Sequence, residues 1–112
     1  MPQNDKIVLV YSTFPSPEKA QEVGSYLVDS RLAACVNIIP GMVSVYRWQG
    51  ERQRESEAVM IIKTRKGLAD RVIAETRSRH PYANPALLVL GVESGSEDFL
   101  RWVRAETSDI EG

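Results

Sequence analysis

Short apolar runs and segments with helical periodicity alternate along this chain, and their order is the strongest constraint on its fold. A continuous run of β-branched and other apolar residues is typical of a strand that is covered on both faces. Such runs lie at 6–13, 33–39, 58–62 and 86–92. Helical spacing separates the first run from the second, and the third from the fourth. The sequence therefore predicts the order β-α-β-β-α-β, with a short further helix after the last strand.

Local signals place the ends of the helices. Ser16 before Pro17 predicts a helix N-terminus, because a serine hydroxyl caps free N–H groups and proline needs no acceptor at the first position. A second helix is predicted over 67–79, and Ser94 with Glu97 has the spacing of a capping box for the terminal helix. In the first helix, apolar or small residues recur on one stripe, at Ala20, Val23, Gly24, Leu27 and Val28.

The segment between the second and third runs predicts a long β-hairpin. Pro40 and Gly41 indicate a bulge or bend, because proline lacks an N–H donor and glycine tolerates unusual backbone angles. Residues 42–48 alternate between two faces, and Gln49-Gly50 is typical of a tight turn. Such an arm would expose strand edges if it stood alone, so we expect a second subunit to cover it.

The predicted order, with two right-handed crossovers, indicates an α+β fold of the ferredoxin-like kind with an additional C-terminal helix. We expect the sheet to be antiparallel, with the helices on one face. Residues 1–112 form a single predicted domain, since the sequence shows no linker or internal repeat. We expect residues 1–5 and 106–112 to be flexible.

The composition excludes several classes of protein. With 14 basic and 15 acidic residues and a net charge of -1, the chain lacks the positive charge that nucleic-acid binding requires. One cysteine and one histidine cannot complete a zinc site within a chain. No apolar run approaches the roughly 20 residues of a membrane span, and the N-terminus lacks the pattern of a secretory signal. These features, together with an unpaired cysteine, predict a cytoplasmic protein without membrane insertion.

The sequence also lacks the common catalytic motifs. It contains no phosphate-binding glycine loop and no zinc-protease motif. An acylphosphatase would need an arginine in the phosphate loop after the first strand, and residues 13–18 contain none. RNA recognition by this fold requires aromatic residues on the third strand, and residues 57–64 contain none. These absences argue against the enzyme classes that use those motifs and against RNA recognition.

Each candidate functional residue has a functional and a structural interpretation. His80, before Pro81, is either a metal ligand or part of a turn. Glu57 and Lys63 share one face of a strand, as partners in an ion-pair network or as functional groups. Three aromatic residues lie on or near the hairpin: Tyr46, Trp48 and Tyr82. They either line a pocket or stabilise a contact between subunits. Cys35 lies in an apolar run and is predicted to pack in the core.

Two segments carry a specific resemblance to a known family. Residues 32–41 read LAACVNIIPG and residues 44–51 read SVYRWQGE. Further matches to the same family occur at Glu57, Ile62-Lys63-Thr64, His80-Pro81-Tyr82, Pro85 and Phe99-Leu100-Arg101-Trp102. Through all of these residues the chain resembles the CutA divalent-cation tolerance family, over about residues 6 to 105.

The resemblance implies a homotrimer of ferredoxin-like subunits, similar to the PII-type signal proteins. It implies tolerance to copper and other divalent ions, without enzymatic activity. A cleft between subunits would be lined by Trp48, Glu57, Lys63 and Tyr82, with His80 at its edge as the metal ligand. The chain departs from the family pattern at Arg47, Gly91 and above all Ala86, where the family usually has a glutamate.

Copper-binding members of the family also offer a cysteine near Ser12 and a second histidine at the position of Arg79. Without that carboxylate, thiol and imidazole His80 has few partners, so any divalent metal, copper included, should bind weakly. We therefore expect a trimeric divalent-metal tolerance or binding protein. The alternative is a sensor that binds a small molecule or signal in the intersubunit cleft.

Overall fold

A computed structural model describes residues 5–107 of the chain. One four-stranded antiparallel sheet, in the strand order β2-β3-β1-β4, is packed against helices. This arrangement confirms the predicted α+β class and the ferredoxin-like connectivity. The elements are β1 (Ile7–Phe14), α1 (Pro17–Asp29), β2 (Cys35–Trp48), β3 (Glu51–Arg65), a 3₁₀ turn (Lys66–Leu68), α2 (Ala69–Arg79), β4 (Leu88–Gly91) and α3 (Glu97–Glu106).

The main core lies between the sheet and the helices α1 and α2. The predicted stripe of α1 is buried at Ala20, Val23, Gly24 and Leu27, whereas Val28 at its margin is exposed. Gly24 is required by close packing, since a Cβ at this position would lie 2.7 Å from Val36 Cγ2 and 3.0 Å from Met60 Sδ. The apolar side of the sheet thus sits directly against the backbone of α1.

The helix caps agree only in part with the sequence predictions. Ser16 Oγ accepts a hydrogen bond from the N–H of Lys19 at 3.1 Å, and Pro17 is the first helical residue, as predicted. The cap of α3 is Ser96 and not Ser94, because Ser96 Oγ accepts from the N–H of Phe99 at 3.4 Å. Because the helix begins after Ser96, Glu97 and Asp98 lie in its first turn, where their negative charges interact favourably with the positive end of the helix dipole.

The long hairpin forms as predicted. The register of β2 against β3 shifts between Ile39 and Met42, where Gly41 has a φ of 77°, so the proline and glycine form a bulge. At the tip, Gln49 and Gly50 both have positive φ, at 52° and 83°, which is the geometry of a two-residue hairpin turn. The arm makes the chain elongated, with extents of 46 × 25 × 22 Å.

The helix α3 contradicts the expectation that all helices share one face. Lys63 Nζ lies 5.2 Å from the centroid of the Phe99 ring, and Val103 is buried with Ile7. These strand residues point away from α1 and α2, so α3 covers the opposite face of the sheet. The reason is the alternation of β1 and β3, which leaves apolar side chains on both faces at this end.

The C-terminal end of the described region is anchored. Thr107 is fully buried, its hydroxyl donates to the carbonyl of Val103 at 2.9 Å, and its own carbonyl accepts from Arg65 at 3.1 Å. Flexibility was expected from residue 106, but Glu106 ends α3 and Thr107 is held in place. The same expectation for residues 1–4 and 108–112 lies outside the described residues. Among residues 5–107, every helix is too short or too polar to serve as a bilayer-spanning segment.

We predict that Gly24→Ala lowers the free energy of unfolding by about 1–2 kcal/mol. The added methyl group overpacks the contact with Val36 by more than alanine gains in helix propensity. Urea unfolding at one protein concentration measures the change. Ser25→Ala, on the exposed side of the same helix, is the control and should shift stability by no more than about 0.5 kcal/mol. Equal stability of Gly24→Ala and the control would contradict the packing argument.

Candidate functional site

A cleft of about 710 Å³ lies between the hairpin arm and the segment 81–86 that follows α2. We call it the hairpin cleft. It opens on the face of the sheet that α1 and α2 leave uncovered, at the end remote from α3. It is lined by Thr13, Tyr46, Trp48, Gln53, Glu55, Glu57, Pro81, Tyr82, Ala83, Asn84 and Ala86.

Strand alternation brings the arm residues to one face of the hairpin. Tyr46 is opposite Gln53 in the register, and Met42 is opposite Glu57. Because side chains two residues apart share a face, Trp48 and Glu55 point to the same side as these pairs. The structure confirms the predicted alternation over 42–48, and two carboxylates and two aromatic rings of the arm therefore face the cleft.

His80 holds the other wall of the cleft in place. Its ring is 9% exposed and is stacked on Phe14 with the centroids 4.2 Å apart. Nε2 lies 2.8 Å from the carbonyl oxygen of Thr13, and Nδ1 accepts a hydrogen bond from the N–H of Tyr82 at 3.1 Å. Since a carbonyl only accepts and an amide N–H only donates, these contacts define a neutral imidazole with its proton on Nε2.

Tyr82 connects this wall to the arm. Its hydroxyl donates to Glu57 Oε2 at 2.7 Å. Burial, followed by the hydrogen bond to Glu57 and the charge of that carboxylate, raises the pKa of Tyr82 well above its usual value. Burial and the carboxylate of Glu55 also raise the pKa of Tyr46. The Tyr82 phenol therefore stays protonated and acts as a donor toward Glu57.

The structure brings together three of the predicted cleft residues, Trp48, Glu57 and Tyr82. Lys63 shares a face of β3 with Glu57 but lies six residues along the strand, roughly 20 Å away, under Phe99. Within one chain the structure thus shows no pairing of Glu57 with Lys63. A role for Lys63 in a cleft between subunits stays a prediction.

Sequence reasoning missed several lining residues. Glu55 and Gln53 lie in a charged stretch of the arm, and their spacing of two and four residues from Glu57 along the strand places them on the same face as Glu57. Asn84 belongs to an irregular segment whose course no periodicity predicts. Ala86 was noted as a departure from a family pattern, and the structure places it in the wall of the cleft.

The described residues offer little for a metal ion. Among residues 5–107, no group of three or more histidine, cysteine, aspartate or glutamate side chains is arranged to hold one. Both ring nitrogens of His80 are engaged, so binding through Nδ1 would require the loss of the Tyr82 N–H bond. Metal ligation by His80 therefore stays a prediction. Cys35 is half-buried at the edge of the small cluster beneath α3.

The sheet order, the two crossovers and the terminal helix define a ferredoxin-like protein with a cleft beside its hairpin. Residues 8–106 match the sequence profile of a family described as "CutA1 divalent ion tolerance protein". The chain belongs to this family.

Curated relatives from distant organisms are similar to the chain. It is 38% identical over 103 residues to the divalent-cation tolerance protein CutA of Thermus thermophilus, an alignment that covers 92% of this chain and 98% of that protein. It is 39% identical over 100 residues to Protein CutA of Homo sapiens, covering 89% of this chain. The chain spans just over half the length of some relatives, 56% of the human protein and 55% of the chloroplastic CutA of Arabidopsis thaliana.

Solved structures agree in fold. CutA1 from Oryza sativa superposes with a TM-score of 0.90 at 34% identity, covering 95% of this chain and 97% of that chain. A CutA from Archaeoglobus fulgidus, described as a periplasmic divalent cation tolerance protein, has a TM-score of 0.87 at 34% identity, covering 90% and 98%. The fold is thus shared over nearly the whole length of these chains.

We predict that stability decreases when His80 is protonated. Burial lowers the pKa of His80 below its usual 6.5, outweighing the hydrogen bond to Thr13 and the charge of Glu57, which raise it. The folded state therefore binds the proton less tightly than the unfolded state, and stability is constant above about pH 6.5 and falls as the pH decreases below it.

Urea unfolding of the wild type at pH 7.5, 6.5 and 5.5 should show this decrease. His80→Gln should be less stable at pH 7.5 but nearly independent of pH over the same range, because His80 is the only histidine of the chain. An equal decrease in both proteins would assign the effect to other groups.

Proposed function

We propose that the chain forms a cytoplasmic, non-enzymatic homotrimer that binds divalent metal ions weakly, copper among them, and contributes to tolerance of them. The observation that carries this proposal is the match of residues 8–106 to a family named for divalent ion tolerance. The location rests on the single cysteine, which is unpaired as expected in a reducing compartment. Some relatives are named chloroplastic or periplasmic, so location varies among similar proteins.

The exposed edges of the sheet support assembly. β2 and β4 are the two edge strands, and β4 exposes Leu88, Val89 and Leu90. On the arm, Val43 and Val45 are exposed on the face opposite the hairpin cleft, and Val45 has 61% of its surface accessible. Unpaired strand edges with apolar side chains favour pairing with another chain. Because the two edges differ, one edge of each chain can pair with the other edge of the next chain. Such head-to-tail pairing closes into a ring, and a trimer is one such ring.

The hairpin cleft provides the donors for a metal. The carboxylate of Glu57 lines the cleft, and the imidazole of His80 lies behind Tyr82, which contacts both groups, so a metal held by both would take Nδ1 and one carboxylate oxygen. Two hydrogen bonds of Tyr82 would have to break, at about 1 kcal/mol each. This cost, together with the small number of ligands, supports weak binding.

A second function is favoured by the size and lining of the cleft. A volume of about 710 Å³ with aromatic walls is in the range of pockets that hold small organic molecules. The chain would then act as a sensor whose state depends on a bound small molecule.

We predict that the wild type scatters light as a particle of three times the chain mass at micromolar concentration. Val45→Lys should shift it toward the monomer, because the interface would have to bury an ammonium group. Val28→Lys carries the same change at the exposed margin of α1, away from the arm, and should leave the trimer intact. A monomeric wild type, or dissociation of both variants alike, would contradict the proposed assembly through the arm.

We predict that copper binds with an affinity on the order of micromolar at best at pH 7.5, and more weakly at pH 5.5, where protons compete for the imidazole. His80→Gln and Glu57→Gln should each weaken binding about tenfold or more. Tyr82→Phe should strengthen it about fivefold, since one hydrogen bond to Glu57 no longer competes.

Glu93→Gln, at an exposed position away from the cleft, is the matched control for loss of one negative charge. Calorimetric titration measures each affinity. Binding that is unaffected by His80→Gln, or that is equal in Tyr82→Phe and the wild type, would place the metal elsewhere.

A further inference from the structure

The helix α1 ends in a backbone conformation that its residue does not favour. The N–H of Leu32 donates to the carbonyl of Leu27 at 2.9 Å, and the N–H of Arg31 donates to the carbonyl of Val28 at 3.0 Å. This pair of bonds is the Schellman motif, in which the residue after the cap is left-handed and is usually glycine. Here that residue is Arg31, with a φ of 63°. The position therefore carries a local strain that glycine would relieve.

The side chain of Arg31 makes a contact that glycine could not make. Its guanidinium donates to the carbonyl of Glu106 at 3.0 Å and lies 4.0 Å from the carboxylate of the same residue. Glu106 is the last residue of α3, where carbonyls lack acceptor partners within the helix and a cation interacts favourably with the helix dipole. The strained residue thus ties the end of α1 to the end of α3, which is 75 positions away in the sequence.

A second arginine holds the same end of α3. Arg65, at the end of β3, donates to the carbonyl of Thr107 at 3.1 Å, and its side chain is only 11% exposed. The hydroxyl of Thr107 donates back to the carbonyl of Val103. All of these contacts lie within one chain, so they do not depend on whether other subunits cover the arm or the edges of the sheet. The C-terminal end of α3 is therefore held by side chains from two other elements.

Between its ends, α3 is held by a small apolar cluster that is separate from the main core. The cluster consists of Ile7, Ala34 and Val103, with Cys35, Val92 and Leu100 packed against it. A helix of ten residues is not stable by itself in water, so α3 depends on this docking. An element with a small apolar contact is expected to open at a lower cost in free energy than the core. The two arginines then control how often α3 opens.

We propose that α3 is a strap over the second face of the sheet, that it opens as a unit while the rest of the chain stays folded, and that Arg31 is its latch. Opening removes the cover of α3 from Cys35 and Lys63, which lie opposite each other in the register of β2 and β3. The latch needs a long side chain with a charged donor at position 31. This need accounts for an arginine where the backbone favours glycine.

Hydrogen exchange of the full chain, followed by mass spectrometry, measures the opening. In the wild type we expect the amides of residues 101–107 to exchange together and at least about tenfold faster than those of the central strands β1 and β3, which exchange through global unfolding. Arg31→Gly should speed the exchange of residues 101–107 about fivefold, since one charged hydrogen bond is lost. The exchange of β1 and β3 should rise by at most about twofold, because the relief of strain stabilises the folded chain against global unfolding and not against opening of α3.

Gln49→Gly is the matched control. Gln49 also has a positive φ, of 52°, but it lies at the tip of the arm and not beside α3. The substitution relieves the same kind of strain without changing the latch, so the exchange of residues 101–107 should match that of the wild type. Light scattering checks that each variant assembles as the wild type does.

The possible outcomes either support the strap or overturn it. If residues 101–107 exchange at the rate of β1 and β3 in the wild type, α3 opens only with global unfolding and the inference is wrong. If Arg31→Gly accelerates the helix and the strands equally, or if Gln49→Gly accelerates the helix as well, Arg31 is no latch. Acceleration that is confined to α3 and to the Arg31→Gly variant supports the inference.

Discussion

The pairing of β2 with β3 is the constraint on which the rest of the structure depends. One continuous ladder runs from Cys35 opposite Lys63 to Trp48 opposite Glu51, interrupted only by the bulge at the Pro40-Gly41 position. At its base the ladder presents Met60 and Ile62 to the main core. Beyond the bulge the same ladder leaves the core and forms the arm. A single register therefore serves both the hydrophobic core and the hairpin cleft, because side chains alternate strictly along each strand.

A buried neutral histidine joins the core to the cleft. His80 stacks on Phe14, a fully buried residue, and through its two nitrogens it connects the end of β1 to the segment that carries Tyr82. Tyr82 in turn contacts Glu57 on the arm. A polar group this deeply buried is tolerated because both of its nitrogens have partners. The hydrogen bonds that position this wall of the cleft are therefore the same ones that occupy both nitrogens of His80.

The sequence predicted the elements well where the signal was local. The cap at Ser16, the bulge near Gly41 and the turn at Gln49-Gly50 each depend on a few adjacent residues, and the structure confirms them. The predicted cap of α3 was wrong by two residues: serines at 94 and 96 both stand within three residues of Glu97, and the helix begins after Ser96. The strand at the other edge is shorter than its apolar run, because pairing with β1 covers only Leu88–Gly91.

The sequence by itself determined the order of strands and helices, the alternation of the arm and the position of its turn. These features follow from periodicity and from turn chemistry, which act between near neighbours. Only the tertiary structure decided that α3 covers the second face of the sheet and that both nitrogens of His80 are occupied. The physical reason is that such contacts join residues as far apart as Thr13 and His80, whose meeting depends on how all the elements pack and on no local pattern.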